Sequence, residues 1–94
     1  MSYSLEYTGK YRKSLKICLK RGLDIKELYK VLSILVNDGK LPSQYRPHIL
    51  HGKYDGIWEC HIKGDWLLLW TQNDSKLKLL LVDTGSHADL FDHS

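Results

Sequence analysis

Cysteine is scarce in this chain: Cys18 and Cys60 are its two thiols, and they lie far apart. Such a pair makes neither a disulfide framework nor a CxxC zinc signature, which excludes a stapled extracellular scaffold and points to a reducing compartment, the cytoplasm. Long apolar runs are missing too. The longest, Trp66 to Trp70, has five residues, whereas a membrane-spanning helix needs about 20. No apolar run follows Met1, so a secretory leader is not expected. Proline occurs twice, at Pro42 and Pro47, both in the one stretch without clean periodicity.

What is present is the composition of a folded domain, 43% apolar and 27% charged over 94 residues. That length supports one modest core and no second lobe, so residues 1–94 are expected to form a single domain. Charge is unevenly spread. Residues 10–30 hold eight Lys or Arg against Asp24 and Glu27, a local +6 that leaves −3 for the rest. The five histidines (His48, His51, His61, His87, His93) all fall outside that basic segment. A basic helical front and a histidine-bearing back half result.

Periodicity sets the elements. Tyr3 to Thr8 alternates as a short strand. Tyr11, Leu15, Cys18 and Leu19 form the apolar stripe of a helix that Gly22 stops. Asp24, with Glu27 three residues on, opens a second helix whose stripe is Ile25, Leu28, Tyr29, Leu32, Leu35 and Val36, ended by Asn37-Asp38-Gly39. Three strand-like runs follow, Ile57 to Lys63, Trp66 to Gln72 and Leu77 to Asp83, with turn signals at Gly64-Asp65 and Asn73 to Lys76. Such short connections force an antiparallel meander. The expected fold is a small α/β (α+β) domain, with an N-terminal strand and a two-helix hairpin packed on an antiparallel sheet that ends in a three-strand meander. Gly39 to Asp55, carrying Arg46, His48, His51 and Lys53, reads as a long irregular connection, and such loops are often functional.

Strand reversal gathers chemistry at one sheet edge. His61 ends the first run beside Asp65 and Trp66 at the turn, and the third run exits at the same edge, delivering His87 and Phe91. Histidine can give or take a proton near neutral pH, and two imidazoles with a carboxylate supply the acid and base needed for attack of a ribose 2′-hydroxyl on its own 3′-phosphate. Arg46, Lys53 and Lys63 are the candidate cations for the phosphorane charge, and Trp66 and Phe91 the candidate stacking surfaces for unpaired bases. This scheme requires no metal or other cofactor. Cys60 is turned away from His61 by strand alternation.

Three ordered blocks carry a resemblance: Tyr45-Arg46-Pro47-His48-Ile49-Leu50-His51-Gly52, then Gly56 through Leu69 with Glu59-Cys60-His61-Ile62-Lys63-Gly64-Asp65-Trp66 at its centre, then Thr84 through Phe91. Together they resemble the YafQ-type branch of the RelE/ParE toxin superfamily. The resemblance implies a RelE-like fold and a ribosome-dependent mRNA endonuclease of a bacterial type II toxin–antitoxin pair, with an antitoxin, mRNA and the ribosome as partners and no membrane. It places the catalytic set on His48, His61, Asp65 and His87, with His48 or His61 as base, His87 as acid, and Phe91 touching substrate. Two positions depart from the pattern: Pro47 replaces an acidic residue and Trp58 a basic one, which leaves Arg46 and Lys63 to carry the phosphate charge.

Blander readings stand beside these. Trp58 and Trp66 are more often core than stacking platforms, Phe91 could simply pin the C-terminal turn capped by Ser86 and Asp89, and His51 and His93 read as solvated. A non-catalytic toxin or antitoxin-binding module on the same scaffold is the alternative function. A metal-dependent nuclease using His48, His61, Asp65 and His87 is a third, without short ligand spacing behind it.

Overall fold

Both long helices start where a side-chain oxygen takes a free N–H. In the computed structural model, which describes residues 2–91, Thr8 caps α1 (Gly9–Lys20) by accepting from the Tyr11 N–H, and Asp24 caps α2 (Ile25–Asp38) by accepting from the Lys26 N–H. His93 lies outside the described residues. Thr8 also donates its hydroxyl to the Val82 carbonyl, tying the start of α1 to the sheet. At the far end of α2, Gly39 has φ 70° and a Cβ there would come 2.5 Å from the Tyr3 ring, so two independent constraints require glycine.

The strands are β1 (Ser4–Tyr7), β2 (His48–Ile49), β3 (Trp58–Lys63), β4 (Trp66–Asn73) and β5 (Lys78–Gly85), followed by the short helix α3 (His87–Phe91). They form one sheet in the order β1-β5-β4-β3-β2. The meander β3-β4-β5 is as expected from alternation and turn chemistry. Two features are additional: β1 pairs with β5 in parallel, and His48–Ile49 adds a fifth strand antiparallel to β3, so His48 sits on the sheet and not in an irregular loop.

The helices α1 and α2 cover one face. Tyr11, Cys18, Leu28, Val31 and Leu35 meet Cys60, Ile62, Trp66, Leu68, Trp70, Leu79 and Leu81 in the main core. Burial of each large aliphatic side chain contributes about 1.5–3 kcal/mol. The stripe of α2 is rotated from the expected one: Val31 is buried, while Tyr29 is 57% exposed. On the opposite face Leu67, Leu69 and Leu90 make a smaller cluster, edged by Leu50, Ile57, Val82 and Phe91. β4 is therefore sandwiched, which explains its unbroken apolar run.

Candidate active site

The sheet register assembles the site. His61 pairs with Leu67, and Leu67 pairs in turn with Gly85, so the end of β3, the turn at Gly64-Asp65 and the exit of β5 lie in one row. From that exit Ser86 caps α3: its N–H donates to Asp89 Oδ2 and its hydroxyl accepts from the Asp89 N–H. Arg21, just past α1, donates to both Asp89 oxygens at 2.6 and 3.2 Å. This bidentate contact, with the Ser86 N–H second, holds the Asp89 carboxyl down to about 2. The clamp fixes the helix that carries His87 and Phe91.

Across the row the imidazoles of His61 and His87 face each other, their centroids 5.6 Å apart. His87 Nδ1 is 2.5 Å from Asp65 Oδ1, and the His87 backbone N–H donates to the same oxygen. The ring contact first and the backbone bond second keep the Asp65 carboxyl below the ordinary range. His61 Nδ1 is 3.3 Å from the Gly64 carbonyl. A carboxylate and a carbonyl only accept, so both rings carry their proton on Nδ1 and have Nε2 free for chemistry. Both Asp65 and His87 are more than half exposed, and with Gln44, Arg46, His61 and Gly64 they line an open groove of about 450 Å³.

His48 belongs to a different layer of the site. Its Nδ1 is 2.9 Å from the Arg46 carbonyl and its Nε2 is 3.2 Å from Glu59 Oε1. Both nitrogens face acceptors. Glu59 is only 4% exposed, and His48 is its polar partner. Donor atoms of Glu59, His61 and His87 all lie within 4.8 Å of one another. Glu59 was not singled out from sequence; the signal available was its place on the His61 face of β3, two residues away.

The remaining expected site residues divide. Arg46, held at φ 49°, lines the groove. Phe91 lies 6.2 Å from the His87 ring and is braced edge-on by Tyr54, whose hydroxyl donates to the Leu90 carbonyl. Lys53 sits over the Tyr54 ring and Lys63 is exposed at the end of β3; neither lines the groove. Trp66 corrects the stacking assignment. It is 4% exposed on the helix face, its indole N–H donates to Thr84 Oγ1, and its ring is not available to a base.

Cys60 is also buried on the helix face, and burial pushes its thiol up to about 12, so it offers no thiolate. Trp58 stacks on Trp70 at 5.9 Å and borders, with Pro47, a cavity on that same face. The two departures from the expected pattern therefore lie together and away from the groove.

On this sheet, with that groove at its edge, the family model described as a bacterial toxin of type II toxin–antitoxin systems, YafQ, matches residues 3–92. The chain belongs to the YafQ family. It is 35% identical to the mRNA interferase toxin YafQ of Escherichia coli K12 over 88 residues, covering 93% of this chain and 94% of that one. Among solved structures it is similar to the E. coli DinJ–YafQ toxin–antitoxin complex (TM-score 0.85, 34% identity, 97% of this chain and 99% of that chain). It is likewise similar to a metal-bound toxin from Helicobacter pylori (TM-score 0.84, 40% identity, 97% and 100% covered). Among the described residues no helix is long and apolar enough to cross a membrane.

Proposed function

We propose that this toxin is an mRNA endoribonuclease that cuts by attack of a ribose 2′-hydroxyl, with a cognate antitoxin as its partner and ribosome-bound mRNA in the cytoplasm as its substrate. The observation that carries this reading is the facing pair His61 and His87, each with Nε2 directed away from an acceptor on Nδ1. Membership of a family containing a protein named an mRNA interferase, and likeness to a toxin solved with its antitoxin, support it.

In this scheme His61 Nε2 takes the 2′-hydroxyl proton as O2′ bonds to phosphorus. His87, protonated on Nε2, gives that proton to O5′ as the P–O5′ bond breaks, leaving a 2′,3′-cyclic phosphate and a 5′-hydroxyl. Asp65 on Nδ1 of His87 fixes the ring and leaves its Nε2 free, and the acid role is given to His87. His48 is engaged at both nitrogens and acts by holding Glu59, so the base role goes to His61. Arg46, the one Lys or Arg lining the groove among the described residues, meets the non-bridging oxygens. Phe91 stacks on a base.

Primer extension on cellular mRNA after induction tests the reading. New 5′ ends are expected with the parent and not with His87→Ala at equal abundance. Growth arrest without new ends would establish a non-catalytic toxin instead.

A further inference from the structure

Across the sheet edge from the groove, Trp58 and Pro47 line a cavity of about 190 Å³ with Trp70, Leu41 and Lys40. The rings of Trp58 and Trp70 are 15° from parallel, with centroids 5.9 Å apart. Trp70, at 1% exposure, is the buried member of this pair, and Trp58 is half-buried. A stacked indole left partly in water beside a cavity keeps apolar area that a bound ring would bury. The polar side chains next to it are already engaged: the Trp70 indole N–H donates to Gln72 Oε1, and Gln72 Nε2 donates to the Gly39 carbonyl and to Asp74. The cavity therefore offers stacking and apolar contact, the chemistry that accepts a base with little regard to its identity.

Charge and continuity identify what carries that ring. Lys40 is the one charged residue lining the cavity among the described residues, so the field there favours an anion. Segment 39–47 borders both spaces: Gly39, Lys40 and Leu41 line the cavity, Gln44 and Arg46 line the groove, and Pro47 lines the cavity again. Arg46 and Pro47 are consecutive, with Cα atoms about 3.8 Å apart, and they lead directly into β2, the outermost strand. A polyanion whose phosphate meets Arg46 in the groove thus reaches Pro47 and the Trp58 ring by rounding one sheet edge.

We propose that this cavity is a subsite for one unpaired base of the RNA strand, stacked on Trp58 while Lys40 meets a neighbouring phosphate. The proposal rests on the nuclease reading above and extends it: the toxin grips its substrate beyond the scissile bond, through a contact blind to base identity. The cavity suits a single planar ring and not a partner helix, which is about 10 Å across.

The test uses the full-length protein with two RNAs made uncleavable by a 2′-deoxyribose immediately 5′ to the scissile phosphate, a dinucleotide spanning that bond and a strand extended on both sides of it. Trp66 and Trp70 are 4% and 1% exposed, so a base stacking on Trp58 is read as quenching of tryptophan emission. The long strand should quench and the dinucleotide should not. Trp58→Phe should remove the quenching while keeping a ring to stack on. Trp58→Leu should weaken the long strand about 5–150-fold and remove most of its advantage over the dinucleotide, with the melting profile showing a folded chain. Lys40→Gln should lower the salt slope of long-strand binding by about 0.7, one phosphate of a single strand; an unchanged slope removes Lys40 from the contact. Unchanged emission with the long strand bound, quenching that persists in Trp58→Phe, or full affinity in folded Trp58→Leu overturns the subsite. So does a Trp58 response to the purified antitoxin with none to RNA, which would make the cavity a protein-docking pocket. A long strand that quenches Trp58 but whose all-ribose form is never cut would sink the nuclease reading and leave the subsite standing, whereas cutting at the expected bond with Trp58 unmoved would do the reverse.

Discussion

Asp65 Oδ1 accepts from both the ring Nδ1 and the backbone N–H of His87, so one carboxylate oxygen sets the tautomer of that histidine and the position of the residue opening α3. Replacing it by Asn keeps an acceptor and removes the negative charge beside the ring. Asp65→Asn is expected to lower kcat about 10²–10⁴-fold with little change in KM, by single-turnover cleavage of a defined RNA. The melting temperature should hold, because the pair is largely exposed.

Trp66 and Phe91, both proposed from sequence to stack on bases, should separate cleanly. Trp66→Phe removes the donor to Thr84 inside the core and is expected to cost about 1–2 kcal/mol in urea unfolding while activity per folded molecule is kept. Phe91→Ala should instead raise KM by the equivalent of about 1–3 kcal/mol, one lost stacking contact. Loss of activity in folded Trp66→Phe would contradict the assignment.

The clamp between Arg21 and Asp89 links the end of α1 to the helix bearing His87. Asp89 is held down to about 2 in the folded chain and returns to about 3.9 on unfolding. Its contribution is therefore present above pH about 4 and is lost as pH falls toward about 2. Arg21→Ala should flatten the fall in urea midpoint across that window and reduce kcat, and Arg21→Lys should restore part of both. An unchanged acid limb would contradict the coupling.

Gly39 gives a prediction remote from the groove. An alanine there meets the Tyr3 ring and adopts φ 70°, so Gly39→Ala should destabilise by about 1–3 kcal/mol or more, read as a lower denaturant midpoint with unchanged slope.

The meander was legible because β3 alternates and turn residues stand at Gly64-Asp65 and Asn73 to Lys76. β2 was not, since His48–Ile49 is two exposed residues without a period, and the parallel pairing of β1 with β5 joins the ends of the chain by no local signal. In the site, His61, Asp65 and His87 could be brought together by strand reversal alone. Trp66 could not be placed, because β4 is apolar on both faces and alternation therefore does not say which side meets the groove. Glu59 escaped notice for a related reason: its burial depends on His48, from a strand that the sequence does not announce.

The attack of the 2′-hydroxyl through opposed imidazoles is tested most directly with a synthetic RNA cut at one site and its twin carrying a single 2′-deoxyribose immediately 5′ to the scissile phosphate. The RNA should yield a 2′,3′-cyclic phosphate and a 5′-hydroxyl, and the twin should resist cutting at that bond. Equal cleavage of both, or a 5′-phosphate product, would contradict the mechanism built on His61 and His87.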